Sequence, residues 1–171
     1  GRLQPLELME RGEILSQRGR AIVARLPDHI AERELKVVET KLGWTGDRLA
    51  VERADDSVGP GNIIMLEIVS EHVTEVFTAF GQKDVCAEAV AHEAVGEARA
   101  YLAAGVPVGP HLADQLLVPT AMAGAGRFRT VAPTRHMTTN IEVIQQFMEV
   151  AVSVMRDRQH RAACEIRVGN R

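Results

Sequence analysis

Cysteine is scarce in this chain: Cys86 and Cys164 are the only two among 171 residues. Each lies in an apolar stretch, and neither has the CxxC spacing of a zinc or redox site, so both are expected to be buried thiols. Charge of one sign is not concentrated anywhere. The 20 Lys and Arg residues are scattered among 23 acids, for a formal net charge of -3. Broad, sequence-blind binding to nucleic acid neutralises many phosphates at once, and that footprint is missing. No charged leader with an apolar core opens the chain, and no apolar run approaches about 20 residues. Neither a secretory signal nor a membrane partner is expected; a soluble protein of the reducing cytoplasm is. There is no repeat of fixed period and no low-complexity tract. Methionine is missing from the opening Gly1-Arg2-Leu3-Gln4, where a strand is already under way. A preceding segment is therefore expected.

What is present can fold. At 46% hydrophobic content the chain can build a core, and its length suits one ordinary domain or two small α/β lobes. Extended patterns cover 2–8 and 13–26, where Pro27-Asp28 ends the run and offers a helix cap. A helix is predicted over 29–42, and strands over 48–53, 63–69 and 74–80, with the turn-forming loop 55–62 between the first two. Ala87, Val90, Ala91, Ala94, Ala98, Tyr101 and Leu102 recur at helical spacing and mark the clearest helix. The rigid stretch Gly105-Val106-Pro107-Val108-Gly109-Pro110 marks a lobe boundary. Beyond it a helix over 111–123, a strand over 128–131, a helix over 140–148 and a hairpin over 150–168 are predicted, the hairpin turning at 156–160.

Most of the polar motifs have bland readings. His92-Glu93-Ala94-Val95-Gly96 lacks the second histidine that would place two imidazoles on one helix face, so it is not a zinc signature. Gly124-Ala125-Gly126 follows a helix instead of a strand and reads as a helix stop, not a dinucleotide loop. His29, His72, His92 and His160 lie in polar contexts suited to surface imidazoles.

Two places are harder to dismiss. In Gly109-Pro110-His111-Leu112-Ala113-Asp114-Gln115, Pro110 suits a first helical turn whose N–H groups can face an anion. Asp114 and Gln115 follow in the opening turn; taken alone, the residues read as an acid that complements the helix dipole, Asp114, and a cap-region residue, His111. Pro119 cannot donate to the carbonyl of Gln115, so a kink or a bound water is expected there. In Pro133-Thr134-Arg135-His136-Met137-Thr138-Thr139-Asn140, the pair Thr139 and Glu142 has capping-box spacing and sets a helix start just after His136. That holds an imidazole before a helix N-terminus, beside Arg135, where a phosphate can bind. Neutral imidazole is a nucleophile that needs no deprotonation near pH 7, though a polar-loop role fits the same residues.

Together these motifs resemble the RNA 3′-terminal phosphate cyclase family. The resemblance rests on Pro-His-Leu-Ala-Asp-Gln-Leu-Leu at 110–117, Ala-Gly-Ala-Gly at 123–126 and His-Met-Thr-Thr-Asn-Ile-Glu-Val at 136–143, in that order and spacing. Upstream, Glu10-Arg11-Gly12-Glu13-Ile14, Ile30-Ala31-Glu32-Arg33-Glu34 and Gly59-Pro60-Gly61-Asn62 resemble the family's smaller inserted domain. The resemblance implies an α/β (α+β) fold: a βαβαββ unit in a main domain formed by 1–11 and 106–171, and an inserted α/β domain over 12–105. It implies ATP-dependent conversion of an RNA 3′-terminal phosphate to a 2′,3′-cyclic phosphate through a covalent histidine–AMP intermediate. His136 matches the nucleophile. Asp114 and Gln115 match residues lining the nucleotide and metal site, and His111 a residue that stacks on adenine. ATP and a divalent metal, Mg or Mn, with Asp114 as a ligand, are the implied cofactors. The implied partners are an RNA 3′-phosphate end and the N-terminal half of the same enzyme, which this sequence does not contain; a homo-oligomer is left open. Two other readings stay in view: the family's non-cyclising ribosome-biogenesis paralogue, which lacks the nucleophilic histidine, and an α/β module that binds a phosphate ligand.

Overall fold

The computed structural model describes residues 3–157 and 162–170. In chain order the elements are β1 (Leu6–Leu8), β2 (Ile14–Ala24), α1 (Asp28–Leu42), β3 (Leu49–Arg53), β4 (Gly61–Ser70) and β5 (Thr74–Phe80). They continue with α2 (Ala87–Ala104), α3 (Pro110–Ala123), β6 (Gly126–Val131), α4 (Arg135–Phe147), β7 (Val150–Arg156) and β8 (Ala163–Asn170). The described residues divide into two compact units, one holding Ile14–Ser70 with Thr74–Ala100, the other the segments up to Glu13, Glu71–Val73 and from Tyr101 onward.

The unit formed by 14–70 and 74–100 is built on a sheet of order β3-β2-β4-β5, in which β2 pairs parallel with β3 and antiparallel with β4, and β4 antiparallel with β5. Alternation decides its faces. Ala21 and Val23, Ile64, Leu66 and Ile68, and Phe77 and Ala79 point to one side and are buried. Ala31, Leu35 and Val38 of α1 are buried as well, at helical spacing. On the other face the register sets Ile22 beside Ile63 and Ile63 beside Phe80. Arg33 of α1 grips Glu88 of α2 through both guanidinium nitrogens, at 2.7 and 2.5 Å.

In the other unit the elements beside the tail of α2 follow one another as β1, α3, β6, α4, β7, β8, which is β-α-β-α-β-β with the first unit's elements between β1 and α3. The sheet order is β1-β6-β8-β7, with β1 parallel to β6 and the other pairs antiparallel. Its core joins Leu117 and Ala121 of α3, Phe128 of β6, Met137, Ile141 and Ile144 of α4, and Cys164, Ile166 and Val168 of β8. Gly124 ends α3 in the left-handed conformation, φ 77°, its N–H reaching the Ala121 carbonyl, so the glycine does stop a helix. Among the described residues no helix is long and apolar enough to cross a membrane.

Three expectations change. Asp28 does not cap α1 from outside: it lies within the first turn and pairs with Arg53, and Pro27 at the cap position supplies no side-chain bond. Cys86 is exposed, because it precedes the first turn of α2 instead of pointing from its apolar stripe, whereas Cys164 is buried. The first extended segment narrows to Leu6–Leu8. The expected turn over 156–160 and His160 fall largely on 158–161, outside the described residues; β7 runs to Arg156.

Candidate active site

The site is assembled from the openings of α3 and α4. Gly109 takes an extended conformation before α3, Pro110 follows as the first helical residue, and the Ala113 N–H makes a helical bond to the Gly109 carbonyl at 3.0 Å. Proline costs nothing there because its missing N–H would have no helical acceptor. Ala113 and Leu117 face the core, which leaves His111 and Gln115 exposed and Asp114 half-buried. Pro119 lies inside the helix, which nevertheless continues to Ala123; Thr120 Oγ1 beside it donates to the Leu116 carbonyl at 2.6 Å.

The start of α4 differs from the expected one. Thr134, not Thr139, is the cap: its Oγ1 accepts from the Met137 N–H at 3.1 Å, and its carbonyl accepts from the Thr138 N–H at 3.1 Å. Thr139 and Glu142 are exposed residues within the helix. His136 therefore lies in the first turn of α4 instead of in a loop ahead of it. The threonine cap engages Met137, so the backbone donors of the first turn that lack a helical acceptor are those of Arg135 and His136 themselves. Both side chains are exposed, and Arg135 has no acidic partner among the described residues.

One side chain ties the two openings together. Asn140 Nδ2 donates to Asp114 Oδ1 at 3.0 Å and lies 3.4 Å from the Asp114 carbonyl oxygen. Asn140 follows His136 by four residues and Asp114 follows His111 by three, spacings that put each pair on one helix face. The face bearing His136 is thus linked to the face bearing His111 and Asp114. Gln115 follows Asp114 in α3 and is exposed, outside this hydrogen-bonded link. Asn140 itself was not singled out from the sequence, although its i+4 relation to His136 was there to be read.

Among the described residues no three His, Cys, Asp or Glu side chains converge as a metal cage. Asp114 offers one carboxylate, already oriented by Asn140. That donor set suits Mg²⁺, which is commonly held by one or two carboxylates with substrate phosphates and water completing the octahedron.

These features define the class: an α/β protein whose βαβαββ unit, interrupted by a separate α/β unit, joins a histidine and an aspartate at two helix openings. The family model described as RNA 3′-terminal phosphate cyclase (RTC), insert domain, matches residues 9–103. Proteins named RNA 3′-terminal phosphate cyclase are similar over most of the chain. The one from Pseudomonas fluorescens is 47% identical over 150 residues, covering 88% of this chain and 44% of the relative. That from Ectopseudomonas mendocina is 44% identical over 167 residues, covering 98% and 49%, and that from Koribacter versatilis 44% identical over 153 residues, covering 90% and 43%. The chain belongs to the RNA 3′-terminal phosphate cyclase family. It spans about half the length of the relatives it matches.

Proposed function

We propose that the chain is the C-terminal part of an ATP-dependent enzyme of cytoplasmic RNA processing that turns an RNA 3′-phosphate into a 2′,3′-cyclic phosphate, with His136 as the nucleophile. In this reading 1–11 and 106–171 belong to the main domain and 12–105 to the insert. An imidazole nitrogen of His136 attacks the α-phosphorus of ATP; the bond to the β-phosphate oxygen breaks, and pyrophosphate leaves with the electron pair. An oxygen of the RNA 3′-phosphate then attacks the same phosphorus and the P–N bond breaks. Finally the 2′-hydroxyl loses its proton and attacks the 3′-phosphorus, and AMP departs. The logic is that a 3′-phosphate has no good leaving group until AMP is attached.

The observation that carries the reading is the Asn140–Asp114 hydrogen bond, which sets the His136 face of α4 beside the His111 and Asp114 face of α3. The N–H groups of Arg135 and His136 can donate to an α-phosphate, and Arg135 adds charge. Asp114 would hold the divalent ion, which when bound offsets charge on the triphosphate. Gln115 would line the nucleotide, and His111 would stack on adenine. The ribosome-biogenesis paralogue is disfavoured because a histidine occupies position 136.

The test uses the chain supplemented with the part of a full-length relative outside the match, the proposed N-terminal partner. His136→Ala should abolish cyclisation of an oligonucleotide 3′-phosphate, His111→Ala should raise KM for ATP with kcat nearly kept, and Asp114→Asn should shift the metal dependence. Unaltered cyclisation by His136→Ala sinks the mechanism.

A further inference from the structure

The unit formed by 14–70 and 74–100 carries two adjoining cavities remote in sequence from the residues assigned to nucleotidyl transfer. The larger, about 560 Å³, is bordered by His29, Arg33 and Lys83. The smaller, about 300 Å³, is bordered by Ile22, Ile63 and Phe80 on the face of the sheet opposite its buried side chains. Pro60, Gly61, Asn62 and Gly81 line both, so a single ridge separates them.

The ridge is fixed from below. Asn62 Nδ2 donates to Oε1 of the fully buried Glu34, and the Gly81 N–H donates to the Asn62 carbonyl at 2.8 Å. A Cβ at Gly81 would lie 1.7 Å from Asn62 Oδ1, so any side chain there would displace the Asn62 amide from its place between the two cavities. The walls differ in chemistry. On one side Lys83 and His29 have no acidic partner among the described residues, while Arg33 is held by Glu88. On the other, Phe80 is 59% exposed, with Ile63 and Ile22 beside it on the neighbouring strands. An exposed aromatic face beside a lysine matches a base and its own backbone phosphate.

We propose that this cleft holds single-stranded RNA, a base stacking on Phe80 and the adjacent phosphates meeting Lys83 and His29, with the Asn62 amide at the crossing point. The inference rests on the proposed RNA substrate and gives the inserted unit a role of its own, gripping the body of the strand whose end is modified elsewhere. Both Phe80 and Lys83 are exposed, so their replacement leaves the fold intact, which thermal unfolding of each variant checks.

The test is fluorescence anisotropy of the 171-residue chain with a 5′-fluorescein single-stranded RNA ten-mer ending in a 3′-hydroxyl, which cannot be cyclised. Phe80→Ala should weaken binding roughly 5- to 150-fold. Lys83→Ala should weaken it and lower the slope of log K against log salt by about 0.7, the loss of one phosphate contact. Thr139→Ala, exposed within α4, should bind like the parent. No measurable binding, an unchanged Kd for Phe80→Ala, or equal competition by an acidic peptide overturns the proposal. RNA binding that needs Phe80 and Lys83 in a protein whose His136 takes no AMP would uphold this cleft while removing the proposed function. Adenylylated His136 with RNA binding indifferent to both variants would do the reverse.

Discussion

Glu34 lies fully buried in α1; one carboxyl oxygen accepts from Asn62 and the other has no partner among the described residues. Burial pushes its pKa from the ordinary 4.5 up to about 7, against the opposing hydrogen bond from Asn62. The folded state thus binds a proton between pH 4.5 and 7 that the unfolded state releases. Stability from this group is complete below pH 4.5 and is lost as pH rises through about 7, by about 3 kcal/mol in all. The urea midpoint of the chain should fall between about pH 5 and about pH 8, and Glu34→Gln should flatten that fall; a parent midpoint that holds steady would contradict the burial argument. The two thiols separate in the same way. Cys164 is pushed up to about 11 by burial, while Cys86 is exposed. Iodoacetamide should label Cys86 in the native protein and Cys164 only after denaturation, as peptide mapping would reveal. The apolar neighbours of Cys86 made it look buried from the sequence, because composition alone does not say on which side of a helix start a residue falls.

At the scale of elements, strand β5 was legible to its ends from its residue pattern, since β-branched and aromatic residues fill Thr74–Phe80 and the run stops at Gly81, although its faces were not, with Glu75 buried and Phe80 exposed. The α2 stripe was legible for the same reason at the helical period. The start of α4 was not. Two threonines compete for the cap, and Thr139 with Glu142 has the better local spacing. The choice was made by burial: Met137 joins Ile141 and Ile144 in the core, so the helix must begin early enough to contain Met137. The shift matters for the site, because it moves His136 into the first turn. Thr134→Ala should cost about 1 kcal/mol of unfolding free energy, whereas Thr139→Ala, exposed inside the helix, should be close to neutral. Chemical denaturation compares the two, and equal effects would mean that the cap is misassigned. The Asn140–Asp114 bond spans 26 residues and joins two helices, so no local pattern could announce it.

At the scale of the molecule, the β-α-β-α-β-β order closes only when β1 pairs with β6 across the intervening unit, Leu6 beside Gly126 and Leu8 beside Phe128. A pairing of such sequence separation is invisible to periodicity. The family follows from the match over residues 9–103 and the relatives at 44–47% identity; the chemistry proposed for the chain rests on His136. That claim has a direct measurement. The chain, combined with the remainder of a full-length relative, Mg²⁺ or Mn²⁺ and ATP labelled at the α-phosphate, is denatured and the label is mapped by peptide mass spectrometry. The account predicts AMP on His136, in a bond that survives alkali and breaks in acid as a phosphoramidate does, and none in His136→Ala. Label on a lysine, or label that persists without His136, would contradict it.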